Sequence, residues 1–417
     1  MEITQKEKKL LGINGLGRIG KLSLWYHLLS RHFDGVVINV GREVGKGLED
    51  VIHSIETDST YGSLNHFLYG FSGKKCEIRI VDSQTGLLDL GGFQAKILRK
   101  ERNPKDIGWS DEGIRVVVDC TGKFLDPTTP ADDPKGSLWG HLEGGAQKVI
   151  VSAPFKIKDS SKPVPAYSPT LIFGINHFEY QFRHHHIVSA ASCTTTGLAH
   201  MMKPLLEDKE TSRILTASMS TVHAATNTQS VLDAVPATKA SDLRKNRSVM
   251  NNIILSTTGA GKALEKVLPQ IANIGFMADS VRIPTNTVSL ISLNITFNSR
   301  INKFGEPIIN ADYINKIYKQ VAEGSQNELL YFSEKQNVSA DMMGFPAAVV
   351  IEGHETHTRT GFLTITNSPG ETADTSKEHS INLPVTHVKI FGWYDNEYGS
   401  YVRCLGKLTE FIDTNGG

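Results

Sequence analysis

Short apolar runs that stop at glycine or polar turns mark the first half of the chain. Residues 9–14, 35–40, 113–119 and 148–154 are such runs, and each reads as a buried strand with its closing turn. Between the first two lies Gly15-Leu16-Gly17-Arg18-Ile19-Gly20. Leu22, Trp25, Leu28 and Leu29 then recur at helical spacing, predicting an amphipathic helix over residues 21–30. Residues 70–99 alternate and carry turn signals at Ser72-Gly73 and Gly91-Gly92, which predicts short antiparallel strands. Residues 126–138 and 156–169 are polar and proline-bearing, and read as surface loops.

The second half is patterned differently. A strand at residues 187–189 runs into a helix over 194–206, with Leu198, Met201, Met202 and Leu205 on its apolar face. Residues 215–222 alternate. So do residues 279–297, where Val281, Ile283, Val288, Leu290, Ile291, Leu293 and Ile295 predict strands of a sheet covered on one face. Helices are expected from residue 256 and over 311–322. A strand over 385–393, a turn over 394–399 and a closing helix over 400–412 follow. The polar stretch 353–383 holds one short strand, 361–366. No internal repeat interrupts the pattern.

Composition narrows the class. A chain of 417 residues exceeds what one core usually serves, so two domains are expected. Lys plus Arg balances Asp plus Glu at 44 each, which disfavours a bulk-basic nucleic-acid binder. Four cysteines (Cys76, Cys120, Cys193, Cys404) without paired spacing suit a reducing compartment. The first nine residues are charged and lack the apolar core of a signal peptide, and no run of eighteen apolar residues exists. A cytoplasmic protein without a membrane partner is the expectation.

Candidate chemistry sits at three places. Strand, glycine turn, helix and strand form the context of a dinucleotide fingerprint. The glycines allow the tight turn and a close backbone approach to the pyrophosphate, which faces the helix N-terminus. Ribose recognition there usually uses an acidic residue at the end of the second strand. Here Asn39 is followed by Val40, Gly41 and Arg42. Without that carboxylate a 2′-phosphate is not repelled and Arg42 can attract one, so NAD and NADP both remain open. The alternative is that Glu43 or nearby backbone holds the ribose. Cys120-Thr121-Gly122 ends another strand, where open α/β sheets bind ligands, and Cys120 itself reads as a packing residue.

The second place is Ala191-Ser192-Cys193-Thr194-Thr195-Thr196-Gly197. A cysteine at a helix N-terminus gains thiolate character from the partial positive charge there. His223, thirty residues on at the end of a strand, is the candidate base. The third is a set of hydroxyl-rich anion seats: Thr226 and Thr228 with Gln229, and Ser256-Thr257-Thr258-Gly259-Ala260-Gly261-Lys262 opening a helix. Asp242-Leu243-Arg244-Lys245-Asn246-Arg247 is basic and otherwise reads as a solvated surface. His184-His185-His186 reads as a solvated loop in preference to a metal site, because three adjacent side chains do not readily face one ion.

Together these segments resemble the phosphorylating glyceraldehyde-3-phosphate dehydrogenases over nearly the whole length. The motifs are Ile13-Asn14-Gly15-Leu16-Gly17-Arg18-Ile19-Gly20, Asp58-Ser59-Thr60-Tyr61-Gly62, Ser152-Ala153-Pro154, Ala191-Ser192-Cys193-Thr194-Thr195 and Thr221-Val222-His223-Ala224. Ser256-Thr257-Thr258-Gly259-Ala260, Arg282-Ile283-Pro284-Thr285 and Trp393-Tyr394-Asp395-Asn396-Glu397-Tyr398-Gly399 complete the set. The resemblance implies an α/β chain. An N-terminal Rossmann domain (1–191, taking back 398–417) would be joined to an α+β catalytic domain (192–397) with a mostly antiparallel sheet, in a homotetramer. It implies Cys193 as nucleophile, with its own N–H in the oxyanion site, and His223 as its ion-pair partner and base. The thioester would be cleaved by inorganic phosphate to give an acyl phosphate. Ser192, Thr194, Thr258 and Lys245 match the attacking-phosphate pocket, and Thr226, Thr228 and Arg282 match the pocket for the substrate's own phosphate. Asn14, Gly15, Gly17, Arg18, Ile19, Gly20, Arg42, Arg102, Thr121, Gly122 and Ser152 fall to the cofactor, and Asn396 to its nicotinamide amide. No metal is implied.

The departures are specific. Val40 stands in place of Asp, Thr196-Gly197 in place of Asn-Cys, Lys245 in place of an arginine, and Ser400 in place of an aromatic residue. The loops around Asp126, Lys156 and Gly353 are longer than usual. A lysine keeps the charge of the arginine but loses its bidentate geometry. The weakened phosphate pocket keeps a second reading open, an erythrose-4-phosphate dehydrogenase in which water resolves the thioester. A third is a non-catalytic regulatory protein on this scaffold.

Overall fold

The computed structural model describes residues 8–416 apart from 160, 237, 239 and 367–379. The charged lead-in at residues 1–7 and the middle of the polar stretch lie outside the described residues. The chain divides into two compact units, one comprising the sequence up to Thr196 with Glu397–Gly417, the other Gly197–Asn396.

The first unit is built on an eight-stranded sheet. Its order is Ile187–Ser189, Lys148–Val151, Val116–Asp119, Leu10–Asn14, Gly35–Asn39, Phe93–Leu98, Leu87–Leu90 and Ile78–Asp82. The first six strands run parallel, and the last two add antiparallel at the edge. The parallel strands are short apolar runs because both faces are covered, leaving no solvent side to demand alternation. On one face lie the helices Arg18–Ser30 and Cys404–Thr414, contributing Leu22, Trp25 and Leu28, and Leu405, Leu408 and Ile412. Trp109, Ile114, Val117 and Ala146 pack on the other. The fold class expected from the sequence, a Rossmann sheet followed by a mostly antiparallel second sheet, is present.

In the second unit the sheet order is Ile254–Ser256, Gly275–Ile283, Ile214–Ala224, Ser289–Asn298, Ser380–Tyr394, Val349–Glu352 and Leu330–Ser333. All neighbours are antiparallel except two parallel pairs. Ser289–Asn298 alternates perfectly between buried and half-buried positions, with Ile291, Leu293, Ile295 and Phe297 turned to the core. The helix Ala311–Glu323 buries Ile314, Ile317 and Tyr318, and the Tyr318 hydroxyl donates to the Met201 carbonyl at 2.8 Å.

Several elements differ from expectation. The first helix begins at Arg18, three residues early, because Gly17 can serve as its N-cap without interrupting the turn. The short strand at 361–366 is the end of a ten-residue strand, His357–Thr366, laddered against Ser380–Lys389. Its Thr-rich sequence has no apolar face to betray it, since pairing alone satisfies its backbone. The loop 126–138 leads into a helix, Leu138–Glu143, whose N-cap Ser137 accepts from Gly140 N. The closing helix opens with a π-turn, Tyr398–Arg403. The triple histidine is only partly a solvated loop. His184 is exposed, but His185 and His186 are half-buried around Lys148, whose ammonium donates to the Phe182 and His185 carbonyls. Burial lowers Lys148 to about 8.

Candidate functional site

The glycine turn of the first unit uses its three glycines for three different reasons. Gly15 has φ +98°, a region L-residues avoid. A Cβ on Gly20 would lie 1.8 Å from the Gly15 carbonyl oxygen, so the helix can approach the turn only without one. A Cβ on Gly17 would meet nothing within 4 Å. Packing therefore does not require glycine at 17, whereas a ligand seated on the helix N-terminus does. That open cradle fits a pyrophosphate.

Beside the turn is a cleft of about 340 Å³ lined by Asn14, Gly15, Asn39, Val40, Gly41, Arg42, Arg102, Thr121, Lys123 and Phe124. Of the predicted cofactor residues it gathers Asn14, Gly15, Arg42, Arg102 and Thr121. Arg102 Nε donates to the Gly41 carbonyl at 3.0 Å, which holds it on the Val40 turn. Among the described residues no carboxylate lines the cleft. Glu43, the alternative ribose ligand, is exposed and paired with Arg99 at 3.0 Å. The Arg18 guanidinium is held in ion pairs with Asp58 and Glu397, and the second of these ties the first helix to the chain's returning segment. Asp58, also bonded to Lys21 at 2.8 Å, is held down at about 2. Cys120 is half-buried, and loss of hydration with the neighbouring Asp119 pushes its thiol up to about 12, as suits a packing residue. Ser152 donates its N–H to the Asp119 carbonyl at 2.9 Å, and Gly122 has φ +65° at the same strand end.

Cys193 is the first residue of the fifteen-residue helix Cys193–Glu207, and is half-buried. Ser192 caps that helix: its Oγ accepts from Thr195 N at 3.2 Å and contacts Thr195 Oγ1 at 2.8 Å. Ser192 thus secures the helix end whose amides surround Cys193. Thr194 Oγ1 lies 4.0 Å from the Cys193 sulfur. The approach is strained. Ala191 has φ +57°, which costs a residue with a Cβ roughly 1–2 kcal/mol. The π-turn braces it. Tyr401 Oη donates to the Ala191 carbonyl at 3.0 Å, and Ser400 Oγ donates to the Cys193 carbonyl at 3.1 Å. Ser400, the missing aromatic of the resemblance, is fully buried in this brace. Strain and a π-turn commonly mark functional sites.

In the second unit His223 sits near the end of Ile214–Ala224, in register with Arg282 on the neighbouring strand. Its Nδ1 is 2.8 Å from the Ala224 carbonyl, and the Arg282 guanidinium presses against the same nitrogen. Burial first, and the Arg282 charge second, lower His223 to about 3, so the imidazole is neutral at physiological pH. The Ala224 carbonyl calls for a proton on Nδ1 while the Arg282 guanidinium can only donate to it, and in the tautomer that satisfies the carbonyl Nε2 is the accepting atom. The Ala224 amide donates to Ser289 Oγ at 3.1 Å, and that hydroxyl donates to Asn396 Oδ1 at 3.0 Å. Asn396 therefore keeps its amide protons for another acceptor. Thr226 and Thr228 share a 2.9 Å contact, and Gln229 bonds to both. Thr258 Oγ1 accepts from Ala260 N at the start of the helix Ala260–Val267. Lys245 lies exposed on the 3₁₀ turn Leu243–Asn246. Among the described residues no group of acidic, histidine and cysteine side chains could hold a metal, and no helix is long and apolar enough to cross a membrane.

Comparison with known proteins bears on both units. Residues 9–127 match the family model of the glyceraldehyde 3-phosphate dehydrogenase NAD-binding domain, and residues 192–396 match that of the C-terminal domain. The chain is 32% identical over 403 residues to a glyceraldehyde-3-phosphate dehydrogenase of Streptomyces coelicolor, covering 96% of this chain and 98% of that one. It is 34% identical over 398 residues to the enzyme of Lyophyllum shimeji, covering 95% and 96%. With the cytosolic enzyme 3 of Oryza sativa it shares 31% over 405 residues, covering 97% and 98%.

Proposed function

The chain belongs to the glyceraldehyde 3-phosphate dehydrogenase family of NAD-binding oxidoreductases, and on that premise we propose that it is a phosphorylating aldehyde dehydrogenase acting on glyceraldehyde 3-phosphate through Cys193. The observation that carries this reading is the Cys193 turn itself: a cysteine at the first position of a long helix, behind a strained residue held by two dedicated hydrogen bonds.

Cys193 attacks the aldehyde carbon as a thiolate, and the helix N-terminus with the Cys193 N–H stabilises the oxyanion. His223 Nε2 takes the Cys193 thiol proton, returns it to that oxyanion to form the hemithioacetal hydroxyl, and takes it back as the hydride leaves. The nicotinamide supplies the hydride acceptor. Asn396 is the donor for its carboxamide, held by Ser289 in the orientation that leaves its N–H groups outward. The thioester then passes its acyl group from the Cys193 sulfur to a phosphate oxygen, releasing the thiolate and an acyl phosphate. Ser192, Thr194, Thr258 and Lys245 are assigned to that phosphate. Arg282 with Thr226 and Thr228 is assigned to the substrate's own phosphate. An anion on Arg282 removes the charge that opposes protonation of His223, so substrate binding would itself make the base stronger.

The cofactor reading extends to NADP. Arg42, Arg102 and Lys123 around Val40, with no carboxylate among them, favour a 2′-phosphate electrostatically. A homotetramer, the other inference from the resemblance, is supported by the exposed apolar positions Leu215, Ile253, Leu255 and Met277 on the second unit.

The deciding assay is reduction of each cofactor with glyceraldehyde 3-phosphate, with and without inorganic phosphate. Turnover is expected to require phosphate and to fall at least about a thousandfold in Cys193→Ser. Turnover that persists in the variant overturns the mechanism. Phosphate-independent turnover with erythrose 4-phosphate moves the assignment to thioester hydrolysis. Arg42→Ala is expected to weaken NADP more than NAD, and equal losses would remove the 2′-phosphate argument.

A further inference from the structure

A directional chain of buried hydrogen bonds begins at Trp109 and ends on the wall of the cofactor cleft. The indole of Trp109 can only donate, and Nε1 gives its proton to His141 Nδ1 at 2.9 Å. His141, wholly buried, therefore carries its own proton on Nε2, 3.1 Å from Asp119 Oδ2. The same carboxylate oxygen accepts from Asn14 Nδ2 at 2.8 Å, while Oδ1 accepts the Thr121 amide at 3.0 Å and its hydroxyl at 2.6 Å. With its NH₂ group on Asp119, Asn14 offers Oδ1 to Asn39 Nδ2 at 2.9 Å. Asn39 Nδ2 also reaches the Glu101 carbonyl at 3.0 Å.

Each link fixes the next. Turning either amide over would set oxygen against oxygen. Asn39 Oδ1 is thereby left on the outer side of the chain. Asn39 is 2% exposed, that oxygen is buried with no partner, and Asn39 is among the residues lining the cleft beside Val40 and Arg42. A buried acceptor without a donor is costly, and in a ligand cleft it marks where a donor belongs.

We propose that Asn39 Oδ1 is the acceptor for a ribose hydroxyl of the adenosine half of the cofactor, replacing the carboxylate that Val40 removed, with Trp109, His141, Asp119 and Asn14 as the positioning residues that aim it. The inference rests on the assignment of this cleft to the dinucleotide. Its chemical consequence is a site that reads the hydroxyl as a donor but carries no charge. An amide oxygen accepts from a hydroxyl as a carboxylate does, yet does not repel a phosphate on the neighbouring position. Engaged by the 3′-hydroxyl, which both cofactors carry, the same acceptor serves NAD and NADP, and discrimination between them is left to Arg42, Arg102 and Lys123; engaged by the 2′-hydroxyl, it serves NAD alone.

The test is calorimetric titration of the full chain with NAD and with its 2′-deoxyadenosine and 3′-deoxyadenosine analogues, none of which requires turnover. One deoxy analogue is expected to bind about tenfold more weakly than NAD, and the penalty is expected to vanish in Asn39→Ala. Equal binding of all three ligands to the unaltered chain overturns the inference, whether or not the variant folds. So does a hydroxyl penalty that persists in Asn39→Ala. Hydroxyl-dependent binding without any aldehyde oxidation would overturn the proposed enzyme activity and leave Asn39 in its role.

Discussion

At the scale of single residues, the brace on the Cys193 turn makes a prediction that separates stability from reactivity. Tyr401→Phe removes one hydrogen bond to the Ala191 carbonyl and leaves the ring in place. It should cost about 1–3 kcal/mol, because a buried carbonyl is left without its donor. It should also slow alkylation of Cys193 by iodoacetamide at pH 7 several-fold, by loosening the helix end that favours thiolate. A variant that is destabilised but alkylated at the original rate would make the tyrosine merely structural. Cys193 and His223 were legible in the sequence because hydroxyl-rich turns and strand ends announce themselves locally. Asn39 was not. Its significance depends on a hydrogen-bond polarity set by Trp109 and His141, which lie seventy and a hundred residues away in the chain. Ser400 was legible only as a departure. Its bond to the Cys193 carbonyl, which gives it a purpose, depends on the π-turn.

At the scale of elements, the glycine turn supplies a paired prediction. Gly20→Ala places a methyl against the Gly15 carbonyl and should destabilise the first unit by several kcal/mol, seen as a lower midpoint in urea. Gly17→Ala meets open space and should leave that midpoint within a few tenths of a kcal/mol, while lowering NAD affinity at least about tenfold. If both variants bind NAD normally, the turn does not hold the pyrophosphate. Elements with a strong period were read to within a few residues: the first helix, the alternating strand Ser289–Asn298 and the helix Ala311–Glu323. Leu330–Ser333 and Val349–Glu352 escaped notice because four residues carry too little periodicity to separate strand from helix. The ribbon His357–Thr366 was underestimated for the opposite reason, since residues 357–364 are exposed or half-buried and cross-strand pairing organises them.

For the whole molecule, burial of His27 and His223 lowers stability in acid. His27, fully buried among Tyr26, Phe33 and Glu410, is lowered to about 3 by burial with a smaller push from His32, and His223 is likewise near 3. An unfolded chain binds these protons near pH 6.5, the native chain only near pH 3. Between those values the unfolded state holds more protons, so stability is full above pH 6.5 and falls as the pH drops. The loss is at most about 1.4 kcal/mol per pH unit for each histidine. Thermal unfolding should therefore shift down by roughly 2–4 °C for each kcal/mol lost, and His27→Gln should flatten the dependence. A Tm constant from pH 7 to pH 4.5 would contradict it. The fold class was legible from the strand, glycine-turn, helix and strand order and from the family resemblance.

The ion pairs of Arg18 with Glu397, and the close approach of Gly406 to the Tyr26 ring, have a consequence in time. They join the first helix of the chain to residues nearly four hundred positions later. The second unit, contiguous from Gly197 to Asn396, can close on itself as soon as its own residues have been made. The first unit cannot, because Leu405, Leu408 and Ile412 complete its core. The domain begun first is thus finished last. Throughout synthesis it waits with a greasy groove uncovered, the state in which chaperones find their clients and in which a prematurely ended chain would aggregate.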